Sequence, residues 1–194
     1  MNGWLAKVLV ASFSNPRLAA RMVLGQNFSN SEIFGLAVLV AIVLTFANSF
    51  VGYFVANANA PGVEFIRKQP ILTAVFQLVG IPIGAAISLG LSRLFGGKGS
   101  FRDTMVVFIW LNSAMVLVQV VFVFALPIIA PMAAPLGLAA LVWALVAYAC
   151  GLVEIHGFKN VYLVIAALIG LGIVFFLAII VLATYLGLGP AGAS

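Results

Sequence analysis

Residues 104–153 read TMVVFIWLNSAMVLVQVVFVFALPIIAPMAAPLGLAALVWALVAYACGLV, and none of these fifty side chains carries a charge. A bilayer core about 30 Å thick is crossed by roughly 20 predominantly apolar residues in helical form. The stretch is long enough for two crossings, and Pro127, Pro131 and Pro135 divide it in the middle. It predicts a pair of membrane helices joined by a tight, shallow turn. Working outward, the gaps from Glu32 to Glu64, from Lys68 to Arg93, and after Lys159 hold no acid, base or histidine either. Each has room for one further crossing. The reading is an all-α membrane protein with about five transmembrane helices, near 33–55, 71–94, 104–126, 136–153 and 161–186. Short amphipathic interfacial helices precede them. The chain divides accordingly into a cytoplasmic interfacial segment (1–30), a five-helix membrane domain (31–186) and a disordered external tail (187–194).

Composition agrees. Of 194 residues 65% are hydrophobic and 7% charged, which leaves little for a soluble domain. In a soluble chain the net charge of +5 would suggest nucleic acid. In a membrane chain it fits basic loops against anionic lipid, so no nucleic-acid partner is expected. One cysteine, Cys150, excludes an intrachain disulfide and most cysteine metal sites. The apolar stretch 8–13 is too short for a signal-peptide core, so the first span is expected to act as its own signal.

The span ends carry helix-terminal chemistry. Ser29 with Glu32, and Ser100 with Asp103, have the spacing of capping boxes. Gly96, Gly97 and Gly157 stand where helices close with positive φ. Orientation follows from the bases, because basic loops stay in the cytoplasm. Lys7, Arg17, Arg21, Arg93, Lys98, Arg102 and Lys159 fall on one side, and only Arg67 and Lys68 on the other. The expected arrangement is a cytoplasmic N-terminus and an external C-terminus in a bacterial inner membrane. Tyr148 and Tyr162 are expected at the inner interface, and Tyr53 and Tyr185 at the outer one.

Asn15 followed by Pro16 reads as a cap and first-turn proline of a short N-terminal helix. On it Arg17 and Arg21, like Leu18 and Met22, pair at i,i+4. Such a segment can lie flat among headgroups, each base contributing roughly 1 kcal/mol toward anionic lipid. Lys7, Arg17, Arg21, Lys98 and Arg102 are thus the candidate residues facing lipid or a partner. A role confined to setting topology is the alternative.

Glu154-Ile155-His156 holds the only histidine. Side chains two apart on a helix do not face each other, and no second histidine exists to complete a metal site. A charged helix end is the plain reading, a proton-linked role the other. GGKGS at 96–100 lacks the first glycine and the Ser or Thr of a phosphate loop, so it reads as a flexible basic connection. Counting about 1.5 Å per residue along three successive spans puts Asn48, Gln77 and Gln119 at one depth. Three amides at one level serve either as interhelical glue or as part of a polar solute path. Gly80 and Gly84, with Pro82 between them, point to close helix approach. No catalytic residue, cofactor or metal is expected.

RLFGGKGSFR at 93–102, GLVEIHGFKN at 151–160 and NPR at 15–17 together resemble the Yip1-type membrane domain over nearly the whole chain. The resemblance implies five membrane helices with a cytosolic N-terminus, and its strongest matches are Glu154, His156 and Gly157. Eukaryotic relatives imply vesicle traffic and binding of prenylated Rab-type GTPases, and they carry a longer cytosolic N-terminal region. With about thirty residues before the first span, this chain looks more like bacterial members. The resulting expectation is a non-enzymatic membrane protein that organises lipid or partner proteins at the cytoplasmic face. Its partners would be anionic lipids and another membrane protein or further copies of itself. A small transporter or channel using the amide layer is the alternative.

Overall fold

The structure, a computed structural model, describes residues 2–54, 68–129 and 133–185. Two short helices, α1 (Asn2–Ser14) and α2 (Pro16–Leu24), precede the long apolar ones. The latter are α3 (Asn30–Phe54), α4 (Pro70–Leu94), α5 (Phe101–Ile129), α6 (Ala133–His156) and α7 (Val161–Tyr185). Among the described residues, five stretches are long and apolar enough to cross a membrane: Asn30–Ser49, Pro70–Leu94, Phe101–Phe122, Pro135–His156 and Val161–Leu182. Each overlaps its expected span, with ends that differ by up to six residues. Arg67 and the 187–194 tail lie outside the described residues.

The helices start and stop where side chains satisfy their free ends. Asn15 accepts the Leu18 amide at 3.1 Å and Pro16 opens α2. Ser29 and Glu32 exchange bonds, the Glu32 amide to Ser29 Oγ at 3.2 Å and the Ser29 amide to Glu32 Oε2 at 2.6 Å. Ser100 Oγ accepts the Asp103 amide at 3.1 Å at the head of α5. Gly157, at φ +70°, closes α6 with its amide on Val153 O. The proline-rich stretch differs from expectation. Helix α5 runs on through Pro127, and Pro135 sits in the first turn of α6. A proline there loses no helical bond, because first-turn amides have no intrahelical acceptor. Residues 130–132, between the two helices, lie outside the described residues.

Helix α3 packs on α4 and α5, α4 packs on α5, α5 on α6, and α7 on α6. Small residues set these approaches, as van der Waals packing in lipid demands. A Cβ on Gly84 would come within 2.7 Å of the Phe108 ring, and one on Gly151 within 2.5 Å of Val107. Gly80, by contrast, faces open space. Tyr148 lies in the second half of α6, its ring edge-on to Phe108 and its hydroxyl bonded to Ser88.

Helices α1 and α2 share the core of the bundle. Val8, Ala11, Ala19, Ala20 and Val23 are buried with residues of α3, α5 and α6. The anchor is Ser12, which is buried. Its Oγ accepts Trp110 Nε1–H at 2.9 Å while donating to Val8 O, and its carbonyl accepts Trp143 Nε1–H at 3.1 Å. Phe13 stacks on Trp143 at 4.9 Å between centroids. Trp110 stands nine residues into α5, about 14 Å along the helix from Phe101. The N-terminal pair is therefore docked into the bundle and does not merely rest beside it.

Candidate functional site at the basic end

The loop from α4 to α5 is shaped by its glycines. Gly96 takes φ +80°. Its amide bonds Arg93 O at 3.0 Å, and the Gly97 amide bonds Ser92 O at 2.8 Å. This pair of bonds is the Schellman closure of a helix end. The next residues fold over the end of α6. The Gly99 amide donates to His156 Nδ1 at 3.0 Å, so the ring is held with Nδ1 as acceptor. His156 is 3% exposed, and its Nε2 has no partner among the described residues. A Cβ on Gly97 would lie 2.8 Å from the ring, and one on Gly99 would lie 2.3 Å from Ile155 Cγ2. The glycines of GGKGS leave room for Ile155 and His156, so the connection is a fitted cap and not a flexible tether.

Glu154 faces away from this loop, as residues two apart on a helix must. Its carboxylate takes Arg17 Nε on one oxygen and Arg21 Nε on the other at 2.7 Å, with Arg21 Nη2 adding a bond at 3.1 Å. Arg17 and Arg21 stand one helical turn apart on α2, so both guanidinium groups reach the same acceptor. Arginine forks and carboxylates match in shape as well as charge. The Glu154 side chain is only 14% exposed, against 46% and 58% for the two arginines. Hydrogen bonding to Glu154, and then its charge, holds Arg21 more firmly protonated than usual. The sequence placed both arginines toward lipid and Glu154 in a separate motif. The structure joins them into one cluster of net charge +1.

The remaining bases divide. Arg102 donates to Phe28 O, tying the head of α5 to the chain entering α3. Lys7, Lys98 and Lys159 are exposed and make no ion pair among the described residues.

The amide layer is partly assembled. Gln119 Nε2 donates to Asn48 Oδ1 at 3.1 Å, joining α5 to α3. Gln77 is bonded to neither, and its Oε1 is buried without a partner among the described residues. Asn48 and Gln77 instead line a cavity of about 310 Å³ together with Gly80, Phe108 and Asn112. Asn112 was missed from sequence, although it lies two turns before Gln119 and so on the same face of α5. Its Nδ2 donates to Phe108 O at 2.7 Å.

The family model of the Yip1 domain matches residues 10–183. The chain belongs to the Yip1 domain family. Comparison with curated proteins and with solved structures gave no match. The two motifs that carried the resemblance, 93–102 and 151–160, are in direct contact in this Yip1 domain, through Gly99 and His156. The third, at 15–17, joins them through Arg17 and Glu154. The match begins inside α1, so the docked N-terminal helices fall largely within the family domain.

Proposed function

We propose that this Yip1-domain protein is a non-enzymatic platform that gathers anionic lipid and neighbouring membrane proteins at the cytoplasmic face of a bacterial inner membrane. The observation that carries this reading is the division of labour at the basic end. Glu154 and His156 are engaged in holding α2 and the 95–100 loop, while Lys7, Lys98 and Lys159 stay exposed and unpaired around that assembly. A fixed scaffold with free cations on its rim attracts headgroup phosphates at roughly 1 kcal/mol per base. The excess of basic residues at this end supports a cytoplasmic placement. Partners are anionic lipids, a second membrane protein, or further copies of the chain. The test reconstitutes the full chain in vesicles containing a self-quenching fluorescent phosphatidylglycerol. Local enrichment should quench the dye, and a Lys7→Ser, Lys98→Ser double variant, which removes two of the unpaired rim cations, should quench less. Equal quenching by both, or none by either, refutes the reading.

A second reading, a small solute pathway, is favoured by the cavity beside Asn48, Gln77 and Asn112. Flux of small polar solutes through vesicles carrying the protein, lowered by Gln77→Leu, would establish it. The absence of any acid or base among the described residues lining that cavity favours the platform, since nothing there couples to a proton gradient.

A further inference from the structure

Helix α7 packs on α6 but makes no comparable contact with α4, which leaves a wedge between α4 and α7 floored by α6. The wedge is a groove of about 310 Å³. Leu91, Phe95, Leu152, Leu163, Ala167 and Leu171 make its walls. Of the three hydroxyl groups in its lining, on Ser88, Ser92 and Tyr148, those of Ser88 and Tyr148 are bonded to each other and Ser92 is buried, so the wall presents little free polarity. Its mouth is different. Lys159 and Asn160 stand there, both exposed. Asn160 Oδ1 is engaged in capping α7 by accepting the Tyr162 amide at 2.8 Å, which leaves its NH₂ group to donate outward. Glu154, the nearest acid in sequence, is already bonded to Arg17 and Arg21.

We infer that this groove binds one acyl chain of an anionic phospholipid, whose phosphate is held by Lys159 and Asn160. The inference rests on the proposed reading of this end of the protein as lipid-organising, and it assigns that role a particular site. Length selects the occupant. From Asn160 to Leu171 along α7 is about 16 Å. That is half of a hydrocarbon core about 30 Å thick, the depth of one leaflet. Volume argues against a partner helix sunk into it: a helix about 10 Å across displaces on the order of 1,200 Å³ over that length, against about 310 Å³ for the groove. A single chain entering from the leaflet beside Lys159 fits the space, and the lysine at its mouth selects a negative headgroup over a zwitterionic one.

The test uses the full chain in vesicles doped with a phosphatidylglycerol carrying a photoreactive group on its acyl chain, with adducts mapped by mass spectrometry. Adducts should concentrate on 163–171 and around Leu91. The matching phosphatidylcholine probe should give at least fivefold fewer. Lys159→Ser, a surface change that leaves the fold intact, should erase the difference between the two probes. Ala167→Trp, which fills the groove, should abolish labelling by both there. Equal labelling by the two probes in the native chain, adducts unaffected by Ala167→Trp, or covalent links between two copies of the chain in place of lipid adducts would overturn the inference. The dye-quenching measurement keeps the two ideas apart. Quenching with no groove adducts leaves the platform standing and the groove empty of meaning, whereas groove adducts without quenching do the reverse.

Discussion

Gly99 shows how much a single missing Cβ can organise. The Gly99 amide can reach His156 Nδ1 only because nothing projects from its own Cα toward Ile155 and the imidazole. Gly99→Ala should therefore cost about 1–3 kcal/mol, the usual range for forcing atoms into a packed site. Gly90→Ala, on α4 with open space where its Cβ would go, should cost nothing. Equilibrium unfolding in detergent measures both, and equal stability of the two variants would remove the steric role of Gly99. Sequence could count these glycines but could not say what they avoid. A glycine chosen for positive φ, like Gly96, looks the same in sequence as one chosen to clear a ring 57 residues away. The amides teach a similar lesson. Their shared depth was legible, because rise per residue is fixed, but their rotation about each helix was not. The bonded pair is Asn48 with Gln119. Leucine at either position strands the other amide, so the double change should cost less than the sum, by about 0.6–1.7 kcal/mol. Gln77→Leu, which removes a buried oxygen already lacking a partner, should leave stability unchanged or raise it. Strict additivity of Asn48→Leu and Gln119→Leu would show that the pair does not hold the helices.

At the scale of elements, the long helices were readable because apolar length and charge spacing are local properties, and the caps at Asn15, Ser29 and Ser100 were readable for the same reason. The docking of α1 and α2 was not. It depends on Ser12 meeting Trp110 and Trp143, contacts with no local signature. Burial of Val8, Ala19 and Val23 then looks in sequence like an apolar face awaiting lipid. Two fastenings hold this pair, the tryptophans at Ser12 and the carboxylate of Glu154 at Arg17 and Arg21. Glu154→Gln keeps the shape but removes the charge that binds both arginines. Amide hydrogen exchange across 16–24 should accelerate in this variant, while 8–13, held by the tryptophans, should change little. The freed guanidinium groups should also increase quenching of the anionic dye lipid, because the native cluster already neutralises one of its two positive charges. Unchanged or slower exchange would mean that the ion pair contributes no anchorage, and unchanged lipid enrichment that it masks no charge.

At the scale of the whole molecule, what the structure adds to the sequence is convergence. Segments at 15–21, 95–102 and 154–160 lie far apart along the chain, yet they close over one end of the bundle through Glu154 and His156. That end also carries Lys98 and Lys159, so its chemistry faces one leaflet and one compartment. The rule that basic loops are retained inside, a preference set by Lys and Arg and not by net charge, supports the proposed cytoplasmic compartment. The consequence is testable in cells after the buried Cys150 is replaced by Ala, which leaves no native thiol to react. A cysteine placed at Lys98 or Asn160 should react with a membrane-impermeant maleimide only once the cytoplasmic side is opened. One placed at Gln69, the exposed residue that opens α4 at the opposite end, should react in intact cells. Both results are needed, because a single accessible position reports the side but not the number of crossings between it and the next. Labelling of Asn160 in intact cells together with protection of Gln69 would invert the molecule. It would also place Glu154 and its arginines in the external compartment, where the cytoplasmic platform could not operate.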